Sequence, residues 1–142
     1  MIGSLGGVDD TVVVDLYAGS GSFGIESLSR GARHVTFVER ARPALVTLKA
    51  NLEITGFESQ TTVLAGSAPS IAATLDPVDI AFCDPPYADD VWSTLFDVVR
   101  SELLVGHAPS PIELASGWVE VRRRTYGRAH ILIARKDSAH TD

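Results

Sequence analysis

A carboxylate, two prolines and a tyrosine stand together at Asp84-Pro85-Pro86-Tyr87, directly after the apolar run from Val78 to Cys83. Proline fixes φ and has no N–H, so two in succession hold an extended loop whose carbonyls are not consumed by a local turn. Asp84 and the carbonyl of Pro85 can then accept the two N–H bonds of a planar amino group, while Tyr87 stacks on the ring that carries it. Such an amine is a weak nucleophile, because its lone pair is delocalised into the ring. Holding both N–H bonds turns the lone pair toward an electrophile. Asp84, Pro85 and Tyr87 are therefore the candidate catalytic residues, with Pro86 and Tyr87 on the side of the substrate.

A second cluster follows the β-branched run Val12-Val13-Val14: Gly19, Gly21 and Gly24 have the spacing G-x-G-x-x-G, and Glu39 lies 20 residues beyond the first glycine. Glycines let the backbone approach a nucleotide, a helix start offers N–H groups to an anion, and a carboxylate ending the second strand accepts hydrogen bonds from ribose hydroxyls. The spacing alone permits any Rossmann-type site. Asp15, just before the loop, discriminates among ligands. A pyrophosphate would meet an added negative charge there, whereas the ammonium and sulfonium of S-adenosylmethionine would be attracted. A dehydrogenase would also leave Asp84-Pro85-Pro86-Tyr87 without a role.

The elements that must carry these clusters alternate. Val12 to Asp15 reads as a buried strand, Ser22 to Arg30 as a short helix closed by Gly31, and His34 to Glu39 as a second strand. A helix starts at Pro43 and stops at Gly56, a third strand covers Thr61 to Ala65, and a weaker helix covers Ser70 to Leu75. Val78 to Cys83 is the fourth strand. Asp90 to Val99 has helical spacing, and Leu103 to Val105 is a short strand before the irregular loop Ala108-Pro109-Ser110-Pro111. Trp118 to Arg123 and His130 to Ala134 form an antiparallel pair joined through Thr125-Tyr126-Gly127, followed by a polar tail from Lys136 to Asp142. Strands alternating with helices predict an α/β domain with a mostly parallel sheet, helices on both faces and an antiparallel edge. The carboxyl ends of the first, second and fourth strands then share one crevice.

The chain has 142 residues with ordinary globular composition, which predicts one domain, with residues 1–11 as a lead-in and 136–142 as a tail. No apolar run approaches the roughly 18 residues of a membrane span. A single cysteine, Cys83, forms no internal disulfide and reads as a small core residue, which fits a reducing, cytoplasmic setting. Its histidines, His34, His107, His130 and His140, show no metal-ligand spacing, so no metal site is expected. Trp92 and Trp118 read as packing residues. The formal charge of -6 argues against a broad nucleic-acid surface, yet Arg122, Arg123, Arg124 and Arg128 concentrate positive charge near the carboxyl end.

With these residues in place, the chain resembles the class I methyltransferases, and among them the bacterial 16S ribosomal RNA guanine-N2 methyltransferase family. The resemblance rests on Asp15-Leu16-Tyr17-Ala18-Gly19-Ser20-Gly21, Ser29-Arg30-Gly31-Ala32, Glu39-Arg40, Asn51-Leu52, Asp84-Pro85-Pro86-Tyr87 and Tyr126-Gly127. It implies a Rossmann-like, seven-stranded sheet and methylation of guanine N2 in small-subunit rRNA, with S-adenosyl-L-methionine as donor, S-adenosyl-L-homocysteine as product and no metal. Asp15, Tyr17, Ala18, Gly19, Ser20, Gly21, Glu39, Arg40, Ser67 and Asp84 would bind the donor. Pro86, Tyr87, Arg124 and Tyr126 would meet the RNA, within a partly assembled small subunit, and the enzyme would be a monomer.

The chain departs from the family in four places, one of them the stretch from Val99 to Pro111, which matches its pattern poorly. Only eleven residues precede Val12, where the family carries a basic, RNA-facing segment and a helix; Ile2-Gly3-Ser4-Leu5 resembles the end of that helix, which implies a shortened front. Gly66-Ser67-Ala68 stands where many class I enzymes place an acidic residue toward the adenine. Arg128-Ala129 replaces an acidic residue and threonine after Gly127. Two other acceptors meet the same chemistry, adenine N6 in DNA and a glutamine amide in protein. A donor-binding module without catalysis is a further alternative.

Overall fold

The structure, a computed structural model, describes residues 5–86 and 91–138. Its elements run β1 (Val12–Leu16), α1 (Ser22–Ser29), β2 (His34–Glu39), α2 (Arg42–Thr55), β3 (Thr61–Ala65), α3 (Ala68–Ala72), β4 (Val78–Cys83), α4 (Val91–Val98), β5 (Ser101–Ala108), β6 (Trp118–Tyr126) and β7 (Ala129–Lys136). A 3₁₀ turn, Glu58–Gln60, precedes β3. Seven strands form one sheet in the order β3-β2-β1-β4-β5-β7-β6. The first five are parallel to their neighbours, and β7 runs antiparallel to both β5 and β6. This is the Rossmann-like, mostly parallel seven-stranded sheet with an antiparallel edge that the sequence leads one to expect.

Side chains alternate across the pleat. Val13, Val35, Phe37 and Ile80 face α1 and α2, where they pack with Leu28, Leu48 and Leu52. Val14, Leu16, Ala81 and Cys83 face the other way, onto Ala68 and Ala72 of α3 and Leu95 and Phe96 of α4. Cys83 is fully buried, and Trp92 and Trp118 flank Phe96 in the same core, as packing residues should. Asp79, the one polar residue of β4, accepts the Val12 N–H with its Oδ2 at 2.8 Å and ties the start of β1 to β4. Its cost within an apolar strand is thereby offset.

Two glycines set the close approach of α1 to the sheet. Gly21 sits at φ 87° ahead of the first turn, in the left-handed region that glycine enters without strain. A Cβ on Gly24 would lie 2.3 Å from a ring carbon of Phe37 and 2.9 Å from Val35 Cγ1, so only a glycine fits at the third motif position.

Elements at the carboxyl end are longer than the sequence pattern predicts. β5 spans eight residues rather than three, because Gly106, His107 and Ala108 pair with Leu132, Ile131 and His130 of β7. Gly106 breaks the apolar run, yet its bare Cα is what leaves room for the Trp92 ring. The hairpin turn is Gly127-Arg128, one residue beyond the expected position, since Tyr126 still pairs with Ala129. α3 starts two residues earlier than its sequence signal, with Pro69 in its first turn. Lys136, expected in the tail, closes β7 instead.

Candidate active site

The carboxyl ends of β1, β2 and β4 open into a cleft of about 630 Å³, a size suited to a nucleoside-sized ligand. Tyr17, Gly19, Val38, Glu39, Arg40, Ala41, Gly66, Ala68, Asp84, Pro85 and Pro86 line it. The parallel register explains the convergence. Leu16 lies beside both Val38 and Cys83, so the residues that follow each strand emerge side by side.

The glycine loop is built from main-chain hydrogen bonds. Ala18 N–H donates to the Val38 carbonyl at 2.9 Å, Gly21 N–H to Ala18, and Ile25 N–H to Gly21, which passes the turn directly into α1. Asn51 Nδ2 of α2 donates to the Ser20 carbonyl at 2.9 Å and holds the loop from outside. Tyr17 adopts φ 59°, a left-handed conformation that costs a non-glycine residue of the order of 1 kcal/mol. Its ring packs against the core, and burial, followed by the nearby Cys83, pushes its hydroxyl up to about 12.

Glu39 is the hub of the cleft. Its Oε1 accepts the Gly19 N–H at 2.8 Å, and its Oε2 accepts the N–H groups of Arg40 and Ala41 at 3.0 and 2.8 Å. A carboxylate has about four acceptor sites, so these three bonds orient it and leave capacity for a ligand hydroxyl.

Asp15 occupies a different place from the one its charge suggests. It is 1% exposed and is not among the residues lining the cleft; its Oδ2 accepts the Gly24 N–H at 3.0 Å. The carboxyl thus caps an otherwise unpaired N–H in the first turn of α1, a turn without a side-chain cap of its own. Burial pushes it up to about 8, against the lowering effect of the Gly24 bond, and the charges of Asp84 and Glu39 add to the rise. The Asp15 carboxyl therefore keeps its proton near neutral pH, and the acidic side chains lining the cleft are Glu39 and Asp84, with Arg40 as the basic one. These carboxylate acceptors suit a ligand carrying positive charge and a ribose, as S-adenosylmethionine does, and disfavour a pyrophosphate.

Of the other expected donor contacts, Ala18 and Gly21 shape the loop from beneath. Ser20 is exposed, with its hydroxyl 3.0 Å from that of Ser22. Ser67 lies at the start of α3 between the lining residues Gly66 and Ala68, and its hydroxyl makes no cap bond. Sequence reasoning missed Val38, Ala41, Gly66 and Ala68, small or apolar residues that follow from the strand ends rather than from any chemical type.

Asp84 is exposed, Pro85 is buried and Pro86 is exposed at the cleft rim. Tyr87, expected to stack on the substrate, lies outside the described residues. Asp84 Oδ1 stands 2.9 Å from His107 Nδ1. That histidine was not among the expected site residues. Arg124 and Tyr126 are exposed on β6, three strands from Asp84 but at the same edge of the sheet, because β6 runs in the direction of β5. Among the described residues no group of three or more His, Cys, Asp or Glu is placed to hold a metal ion, and no helix is long and apolar enough to cross a membrane.

Residues 1–135 match the family described as Conserved hypothetical protein 95. The "Putative rRNA methyltransferase YlbH" of Bacillus subtilis is 29% identical over 137 residues, 87% of this chain and 74% of that one. The "Ribosomal RNA small subunit methyltransferase D" of Buchnera aphidicola is 35% identical over 75 residues, a match that covers 52% of this chain and 39% of that protein. Among solved structures, the "Putative methyltransferase yhhF" of Escherichia coli superposes with a TM-score of 0.81 at 23% identity, over 92% of this chain and 80% of that one, and so shares the fold.

Proposed function

We propose that this chain, which belongs to the Conserved hypothetical protein 95 family, methylates an exocyclic amino nitrogen, guanine N2 of small-subunit rRNA, with S-adenosylmethionine as donor. One observation carries the reading: Asp84, Pro85 and Pro86 line the same cleft as Tyr17, Gly19 and Glu39. The names of the relatives, which act on ribosomal RNA, support the choice of substrate.

The donor supplies an electrophilic methyl group when bound. Glu39 and the loop from Tyr17 to Gly21 hold its nucleoside and amino-acid ends, with Arg40 and Ser67 at the rim. Asp15 acts indirectly, by fixing the start of α1 under that loop. Asp84 and the Pro85 carbonyl accept the two N–H bonds of the guanine amino group; as the N–C bond forms, the S–CH3 bond of a bound donor would break to leave S-adenosylhomocysteine, and the Asp84 carboxylate takes up the amino proton. Tyr87 stacks on the base beside Pro86.

RNA is held away from the cleft by the β6–β7 hairpin. Half of the chain's twelve Lys and Arg lie between Trp118 and Lys136, with Glu120 as the only acid there, although the whole chain is at -6. Arg123 is engaged by Glu120 at 2.7 Å. Arg122 and Arg124 pair with Ile133 and Ile131, so both present the same face of the strand. Three strand spacings separate this edge from Asp84, roughly 14 Å, within reach of a nucleotide chain whose target base enters the cleft.

Incubation with protein-depleted small ribosomal subunits and methyl-labelled donor should yield N2-methylguanosine after digestion to nucleosides. Replacing Arg122 and Arg124 by alanine should weaken RNA binding and reduce the slope of log K against log salt by about 1–2, with donor affinity unchanged. Label in N6-methyladenosine or in a protein glutamine would reassign the acceptor, and an unchanged salt slope would remove the hairpin from the RNA path.

A further inference from the structure

We infer that His107 is a positioning residue for the methyl-accepting site: it holds the Asp84 carboxylate by one oxygen and leaves the other for the substrate amino group. This rests on the role proposed for Asp84.

Placement comes from the sheet. β4 and β5 are parallel with Cys83 beside Gly106, so the next residues, Asp84 and His107, emerge as neighbours at the carboxyl edge although 23 residues separate them in sequence. His107 still belongs to β5, where it pairs with Ile131 of β7. Asp84 has already left β4 for the loop. The histidine is therefore held in the strand ladder, while the carboxylate is carried by the loop that follows β4. Nδ1 lies 2.9 Å from Oδ1, and this is the one side-chain hydrogen bond of Asp84 among the described residues.

A carboxylate at a loop start, with 46% of its side chain exposed, would otherwise sample several rotamers. A donor fixed on a strand selects one of them and occupies Oδ1, so Oδ2 is the atom that faces an incoming N–H. Displacement of a reacting group by about 1 Å can cost on the order of 100-fold in rate, which sets the scale of what such a contact supplies. His107 is itself 33% exposed, so the pair lies at the surface of the sheet edge rather than in the core.

The test compares three forms of the full chain. His107→Ala should lower kcat for methylation of protein-depleted small subunits about 10-fold or more, with KM and S-adenosylhomocysteine affinity within about 2-fold of the parent. His107→Asn, whose side-chain N–H can reach the position of Nδ1, should recover most of that loss. Equal turnover by His107→Ala, or loss of donor affinity in parallel with kcat in both variants, would overturn the assignment. The pairing is also readable without turnover. The imidazole ¹⁵N resonances of His107, identified by their absence in His107→Asn, should move on Asp84→Ala. Unmoved resonances would overturn the inference even in an active enzyme, while shifted resonances in a chain that methylates no RNA would sustain the pairing and refute the proposed substrate instead.

Discussion

Asp84→Ala should leave S-adenosylhomocysteine binding intact and reduce methyl transfer to protein-depleted small subunits by about 100-fold or more. The side chain is 46% exposed and its one hydrogen bond among the described residues is to His107, so its removal should leave stability within roughly 0.5 kcal/mol. What disappears is an acceptor on the amino group, and with it the orientation of the lone pair. The loss should fall on kcat rather than on donor affinity, because Glu39 and the glycine loop remain. Wild-type turnover by this variant would place the chemistry elsewhere in the cleft.

Asp15→Asn should raise stability at pH 8 and flatten its dependence on pH. The folded-state carboxyl lies near 8, far above its ordinary 3.8, and burial is the main cause. Between those values the folded chain holds a proton that the unfolded chain has released. Stability from this group is therefore full below about pH 4 and falls as pH rises toward 8, by up to ~1.4 kcal/mol for each unit. Asparagine keeps an oxygen for the Gly24 N–H and has no charge to bury. Thermal melts of both forms should converge near pH 4 and separate toward pH 8, with the variant higher. Parallel curves across that range would show that the Asp15 carboxyl titrates as an exposed group does.

Much of this arrangement is legible in the residues. β2, β3 and β4 fall where their apolar runs begin and end, and α1 and α2 stop where Gly31 and Gly56 take left-handed conformations. The motifs also bring Gly19, Glu39 and Asp84 to one cleft, because the carboxyl edge of a parallel sheet gathers whatever follows β1, β2 and β4. The hairpin is less legible. From Glu120 to Tyr126 every residue of β6 is exposed, so neither face leaves an apolar alternation; only its first residue, Trp118, is anchored in the core against Phe96, and the rest of the strand follows its ladder to β7.

Two site features depend on three-dimensional contacts that no spacing reports. Asp15 stands at the right position for a ligand contact, but the packing of α1 over β1 encloses it, so its partner is the Gly24 N–H. His107 looked like one of several scattered histidines. Its signal lay in topology: the residue at the carboxyl end of β5 neighbours the residue that follows β4 once the two strands pair.

The proposed chemistry requires the cleft to accept a sulfur-bearing nucleoside rather than a dinucleotide. A calorimetric titration of the chain with S-adenosylhomocysteine, run beside NAD and repeated on Glu39→Ala, tests it most directly. S-adenosylhomocysteine should bind saturably at one site, at least ~10-fold more weakly in the variant through loss of a charged hydrogen-bond acceptor, and NAD should not bind. Saturable binding of NAD with none of S-adenosylhomocysteine would contradict the proposed chemistry.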